Sequence, residues 1–322
     1  MHRHGLLFFF FCITTIISLS SRPIATFGQR GLHALQAGSV KVDTMEREFY
    51  YYVPEIISQN PDLIFVIHGS GMRARLMKLI TGDQFEKIAD STKNVIIVYP
   101  QGYLKYWNDC RKSAAYDTKL QHVNDVGFFV KMIDFFSEKY HINPKGVFAI
   151  GYSNGGEMCY KLAEEKSELF KGFAAISANM PVETNNDCYQ SNQPVSMLVM
   201  NGTSDPINPY NGGAIILPDG KNRGTVVSTD NTIRYWSSLD KCDTTLKTIH
   251  QFPDINKSDS SVAIEEDYEC PVTNKKITLL KIINGGHIIP NPGFNFWPKV
   301  LGNVNKDINA PQIIFDYFMS LK

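Results

Sequence analysis

The chain carries no excess charge of either sign: 32 Lys and Arg balance 32 Asp and Glu over 322 residues. A broad nucleic-acid or anionic-membrane surface needs a cationic excess to neutralise phosphates, so neither partner is expected. No Cys-x-x-Cys occurs and no cysteine pair has metal-ligand spacing; no metal, nucleotide or other cofactor is implied. Repeats, low-complexity tracts and linker-like stretches are also missing, which argues against a solenoid or a string of domains. A content of 43% hydrophobic and 12% aromatic residues excludes disorder over most of the length.

Long apolar runs are scarce as well, with one exception at the amino terminus. His2, Arg3 and His4 precede a stretch from Leu6 to Leu19 that is apolar except for Thr14, Thr15 and Ser18, and small polar residues and Pro23 follow. This is the anatomy of a secretory signal peptide, too short for a comfortable membrane span. Residues 1–25 are therefore read as a signal peptide and 26–322 as one catalytic domain. The protein is expected to be secreted or periplasmic, with no stable membrane insertion after cleavage; an uncleaved anchor is the alternative, and no charged stop-transfer flank follows to support it.

Export into an oxidising compartment makes disulfides available to Cys110, Cys159, Cys188, Cys242 and Cys270, and an odd number leaves at least one thiol free. Cys159 falls in an apparent buried helix and is the expected free thiol. Cys242 and Cys270 bracket a polar, turn-rich excursion that a bridge would pin. The pairing of Cys110 with Cys188 stays open.

The remaining chain alternates between strand and helix signals. Strands are expected at Glu48 to Val53, Leu63 to Ile67, Val95 to Tyr99, Val147 to Ile150, Gly172 to Ser177, Val195 to Met200 and Ile277 to Ile283. Helices are expected at Gln84 to Ala89, Val126 to Tyr140, Gly155 to Glu164, Ser228 to Leu239 and Pro311 to Leu321. Apolar strands alternating with helices predict an α/β fold with a mostly parallel sheet covered on both faces. The segment from Pro206 to Lys276 reads as irregular surface excursions.

Chemistry enters where strands end. Val147 to Ile150 runs directly into Gly151-Tyr152-Ser153-Asn154-Gly155 and then a helical pattern, the G-x-S-x-G nucleophile elbow in its strand, turn, helix context. Such a turn thrusts Ser153 clear of the backbone, and the helix start aims N–H groups at a developing oxyanion. A serine nucleophile needs a base, and the base an orienting acid, in chain order Ser, Asp or Glu, His. Only His250 and His287 follow Ser153. His287 comes after a strand and Gly285-Gly286, whereas His250 sits in the polar excursion, so His287 is the expected base. Asp205, in the turn after Val195 to Met200, is the expected acid, with turn formation before Pro206 as its bland alternative. The oxyanion donors are expected to be the backbone N–H groups of Ser70, in the loop after Leu63 to Ile67, and Asn154. His68 reads as a structural hydrogen-bonder of that loop.

Several ordered segments together carry a resemblance: Tyr52-Val53-Pro54, His68-Gly69-Ser70-Gly71, Tyr99-Pro100-Gln101-Gly102, Trp107-Asn108, Asn124-Asp125-Val126-Gly127-Phe128, the elbow, Gly202-Thr203-Ser204-Asp205-Pro206, Pro209-Tyr210-Asn211-Gly212-Gly213 and Gly285-Gly286-His287. From about Glu48 to the end, the chain resembles the secreted esterases that group polyhydroxybutyrate depolymerases with feruloyl and acetyl-xylan esterases of carbohydrate-esterase family 1. The resemblance implies the α/β-hydrolase fold without a large lid, and the triad Ser153, Asp205 and His287. It implies hydrolysis of a feruloyl, acetyl-xylan or short 3-hydroxybutyrate polyester substrate. Trp107, Tyr152 and Tyr210 lie in family-like segments near the expected cleft, and Ile288 follows the base where residues border the acyl pocket; these four are the substrate-binding candidates, with core packing as the alternative for Trp107. The family pattern tends to carry Cys where Ser70 stands, and a Trp-Pro pair shortly after the base, where this chain has Ile288-Ile289-Pro290. An acyltransferase using the same triad and a catalytically silent binding protein on this fold are the alternatives.

Overall fold

The computed structural model describes residues 33–217 and 219–321; the stretch read as a signal peptide lies outside them. From Leu35 onward the chain folds as one unit. Its elements are β1 (Gln36–Val42), β2 (Met45–Tyr52), β3 (Asp62–Ile67), α1 (Ala74–Ile80), α2 (Gln84–Thr92), β4 (Val95–Pro100), α3 (Asp117–Leu120), α4 (Asp125–Tyr140), β5 (Val147–Tyr152) and α5 (Asn154–Lys166). There follow β6 (Gly172–Ile176), β7 (Met197–Gly202), β8 (Gly213–Ile216), β9 (Asn222–Val226), α6 (Thr229–Leu239), β10 (Lys247–Gln251), β11 (Val262–Cys270), β12 (Lys275–Ile283) and α7 (Ala310–Ser320).

Ten strands form one sheet in the order β1-β2-β4-β3-β5-β6-β7-β12-β11-β10. Its middle, from β4 to β12, is parallel throughout. Antiparallel strands close both edges. Every residue of β4, β5, β6 and β7 is buried, as parallel strands covered on both faces must be. Successive side chains alternate between two cores. Leu63, Phe65 and Ile67 pack with Phe129 and Met132 of α4, Met158 of α5 and Trp236 of α6. Ile64 and Val66 pack with Met77 of α1, Phe85 of α2 and Phe318 of α7 on the other face. This three-layer arrangement is the expected α/β fold.

Ser228 caps α6 by accepting from Asn231 N–H. The segment from Pro206 to Lys276 is more regular than its composition indicates. It contributes the small hairpin β8–β9, then α6, and two strands that extend the main sheet. β10 hides from pattern reading because all five of its residues are exposed, so no alternation of apolar and polar positions marks it. Cys110 pairs with Cys188 and Cys242 with Cys270. Cys159 is free and buried on α5.

Candidate functional site

The elbow is built by close approach. Ser153 sits between β5 and α5 with φ 54° and ψ −120°, a left-handed conformation that a non-glycine residue holds only under constraint. Its N–H donates to the Ile176 carbonyl at 2.8 Å. A Cβ on Gly151 would stand 1.9 Å from the Gly155 carbonyl oxygen, and one on Gly155 2.4 Å from that of Ile67, so both positions admit only hydrogen.

Asp205 and His287 come from the turns after β7 and β12, which are paired in parallel. Asp205 divides its carboxylate: Oδ1 accepts the N–H groups of Ile207 and Asn208, each at 2.8 Å, and Oδ2 meets His287 Nδ1 at 2.7 Å. Turn formation and histidine orientation are thus carried by different oxygens of one side chain. Both side chains are almost wholly shielded from water. With Nδ1–H directed at the carboxylate, the other ring nitrogen is left as the basic one. The His287 ring is further fixed through its backbone, whose N–H donates to Leu301 at 2.7 Å and whose carbonyl accepts the Tyr152 hydroxyl at 2.8 Å. Burial, and then the Asp205 charge, push the Tyr152 phenol well above its ordinary range, so it stays a donor.

Ser153 and His287 line one cleft of about 550 Å³, with Gly69, Ser70 and Tyr152 beside them. The rest of its lining is mostly apolar, with Met72, Leu76 and Ile80 beside Phe294, Phe296 and Trp297, and Asp219 as the one carboxylate. Leu217, from the β8–β9 hairpin, and Leu301 close the ring.

His68 orients the loop that carries Ser70. Its Nε2 accepts the Gly102 N–H at 2.9 Å, which leaves the proton on Nδ1, 2.7 Å from the Gly69 carbonyl oxygen. Carbonyl and N–H point oppositely across a trans peptide, so holding the Gly69 carbonyl aims the Ser70 N–H the other way. Burial lowers the His68 pKa to about 4, keeping the ring neutral near pH 7. Asn154, 2% exposed, opens α5, where the first N–H groups have no intrahelical acceptor. Its side chain turns away from the cleft to Trp107 and Asp109.

Of the four substrate-binding candidates only Tyr152 lines the cleft. Trp107 is fully buried, its indole N–H donating to the His68 carbonyl at 2.8 Å. Tyr210 is buried against Asp230 and the Lys281 ammonium. Ile288 is 4% exposed and absent from the cleft wall, because the chain turns inward after His287. The aromatic wall comes instead from further along that segment, where Trp297-Pro298 supplies a Trp-Pro pair that Ile288-Ile289-Pro290 lacks. The aromatic run from Phe294 to Trp297 was the signal for it.

Among the described residues, Asp240, Cys242 and Cys270 form a grouping with metal-like spacing. The two sulfurs are spent in a disulfide, so no ligand set remains there.

The fold is that of the α/β-hydrolases. A model of the prolyl oligopeptidase family, Peptidase_S9, matches residues 88–189, which contain the elbow. NocK of Nocardia uniformis subsp. tsuyamanensis, which carries an esterase name, is 23% identical over 262 residues, 80% of this chain and 74% of its own length. Feruloyl esterase D of Neurospora crassa is 26% identical over 184 residues, 53% of this chain and 58% of its own length. An acetyl xylan esterase from Aspergillus awamori superposes with a TM-score of 0.53 at 15% identity, over 80% of this chain and 96% of its own. Fold and relatives define the class: a serine carboxylic-ester hydrolase of α/β-hydrolase architecture. Within that class the chain is similar to esterases named for feruloyl and acetyl-xylan substrates.

Proposed function

We propose that the protein is a secreted esterase that cleaves esters of aromatic or comparably bulky apolar acids through a Ser153, His287 and Asp205 triad and an acyl-enzyme. The observation that carries this reading is the 2.7 Å contact of Asp205 Oδ2 with His287 Nδ1, made beside the cleft that Ser153 opens into. Ser153 Oγ attacks the ester carbonyl while His287 takes its proton, and Asp205 stabilises the imidazolium that results. The backbone N–H groups of Ser70 and Asn154 receive the tetrahedral oxyanion. His287 then protonates the departing alcohol, and water repeats the sequence on the acyl-enzyme to release the acid. Nothing in these steps calls for a metal or a cofactor.

An aromatic acyl group suits the cleft better than acetyl, because a space of about 550 Å³ walled by Phe294, Phe296 and Trp297 would leave an acetyl group largely uncontacted. The feruloyl esterase relative supports that choice. Two disulfides and the amino-terminal apolar run support export, with residues 26–322 as the mature catalytic domain. No helix among the described residues is long and apolar enough to cross a membrane.

The test compares methyl ferulate, a 3-hydroxybutyrate oligomer and acetylated xylan, each with the mature protein and with Ser153→Ala. Preferred turnover of methyl ferulate, lost in the variant, is the expected result. Turnover of the oligomer alone would make the protein a short-polyester depolymerase, and turnover that survives Ser153→Ala would overturn the triad.

A further inference from the structure

The two N–H groups assigned to the oxyanion belong to different segments. Ser70 follows β3 and Asn154 follows β5, and although these strands are neighbours, their ladder ends at the pairing of Ile67 with Gly151. Beyond that point the sheet no longer sets the spacing between the donors. Trp107 spans the gap. Its indole N–H donates to the His68 carbonyl oxygen at 2.8 Å, on the Ser70 side. Its main chain grips the Asn154 side chain twice, the N–H donating to Oδ1 at 2.9 Å and the carbonyl accepting from Nδ2 at 3.2 Å.

We propose that Trp107 is a positioning residue for ester cleavage, tying the two halves of the oxyanion hole at a fixed separation. The inference rests on the hydrolase reading above. Every polar atom of Trp107 is used in this tie, and its ring has no room to wander: it is fully buried, 5.0 Å from the His68 ring and 5.8 Å from Phe129 between centroids. The same Asn154 Nδ2 also donates to Asp109 Oδ2 at 2.6 Å. Asp109 is in turn held by Arg111, whose N–H and Nε meet Oδ1 at 2.8 and 3.2 Å. The next residue, Cys110, is bonded to Cys188. A rigid frame therefore reaches the Asn154 N–H from one side and the His68 to Ser70 peptides from the other. Preorganised donors act on the transition state rather than on bound substrate, so loosening this frame should be felt in kcat.

Trp107→Phe keeps the backbone grip on Asn154 and removes the bond to His68. Because that change leaves a small cavity, a second variant places 3-benzothienylalanine at position 107, with sulfur replacing the N–H at nearly constant shape. Each is assayed for kcat and KM on p-nitrophenyl acetate and methyl ferulate, for inhibition by a trifluoromethyl ketone that forms the tetrahedral adduct, and for melting temperature. The expected result is a kcat roughly 10- to 100-fold lower, since misaligning a donor costs less than the ~10²–10³ of deleting one. KM should change little, and the ketone should weaken in parallel with kcat. A folded benzothienylalanine variant with wild-type kcat and ketone affinity, or with a change confined to KM, overturns the proposal. Wild type and Ser153→Ala are run beside them: no turnover by wild type removes the hydrolase reading and this inference with it. Turnover that depends on Ser153 but ignores position 107 removes the inference alone.

Discussion

The Tyr152 hydroxyl donates to the His287 carbonyl oxygen at 2.8 Å, joining the residue before the nucleophile to the backbone of the base. Their rings lie 5.1 Å apart between centroids. One side chain thus ties the elbow to the loop that approaches it from the far side of β7. Tyr152→Phe keeps the ring and removes the tie. It should lower stability by about 1 kcal/mol and kcat severalfold, leaving the Asp205 contact intact. Thermal unfolding and steady-state kinetics on the same preparation check both.

The aromatic wall should decide acyl preference. Trp297 packs 5.4 Å from Phe294 and 6.0 Å from Tyr152 between ring centroids, whereas Phe296 borders the cleft while 88% exposed. Trp297→Ala should cut kcat/KM on methyl ferulate about 10- to 100-fold and barely affect an acetyl ester. Phe296→Ala should leave the melting temperature unchanged and raise KM for the aromatic ester alone. Equal losses on both esters would mean the wall supports the site without reading the acyl group.

Glu157 predicts a pH dependence of stability. It lies one turn into α5, buried, and burial first, then Asp109, raise its pKa from 4.5 to about 8 against the opposing pull of Arg111. The folded protein holds this proton more tightly than the unfolded chain. The contribution to stability is therefore full below pH 4.5 and is lost as pH rises toward about 8. Glu157→Gln, which cannot ionise, should stabilise the protein relative to wild type more at pH 8 than at pH 5. Denaturant unfolding at the two pH values measures the difference.

How much of this was legible in the sequence follows physical lines. Ser153, Asp205 and His287 each sit in a short turn after a buried strand, where glycines and an Asp-Pro step mark the geometry locally. The parallel strands were equally plain because burial on both faces makes them continuous apolar runs. β1 and α1 escaped for want of such runs: β1 buries only Val42 fully, and α1 mixes Met77 and Ile80 with exposed Leu76 and Leu79. Neighbourhood along the chain puts Trp107, Tyr210 and Ile288 near the cleft. Which way a side chain points depends on the packing of distant segments, and in all three cases it points inward. The wall from Phe294 to Trp297 reaches the cleft through tertiary folding, with Asn291 Nδ2 anchoring its start to the Ile80 carbonyl at 2.7 Å.

The two disulfides should differ in weight. Cys110 and Cys188 are 78 residues apart in sequence, Cys242 and Cys270 only 28. Loop-closure entropy in the unfolded chain then favours the longer bridge by about 1 kcal/mol. Replacing Cys110 and Cys188 by Ala should lower the melting temperature more than replacing Cys242 and Cys270. It should also lower kcat, because the first bridge adjoins Asp109 and its bond to Asn154.

The most direct test of the triad is covalent capture of the nucleophile. The protein is treated with diisopropyl fluorophosphate, digested and mapped by mass spectrometry, beside Ser153→Ala and Asp205→Asn. One phosphoryl adduct on Ser153 is predicted, absent from Ser153→Ala and formed on the order of 10⁴-fold more slowly in Asp205→Asn, whose histidine is no longer held in the basic tautomer. An adduct on another residue, or labelling of Ser153 at the same rate without the Asp205 carboxylate, would contradict it.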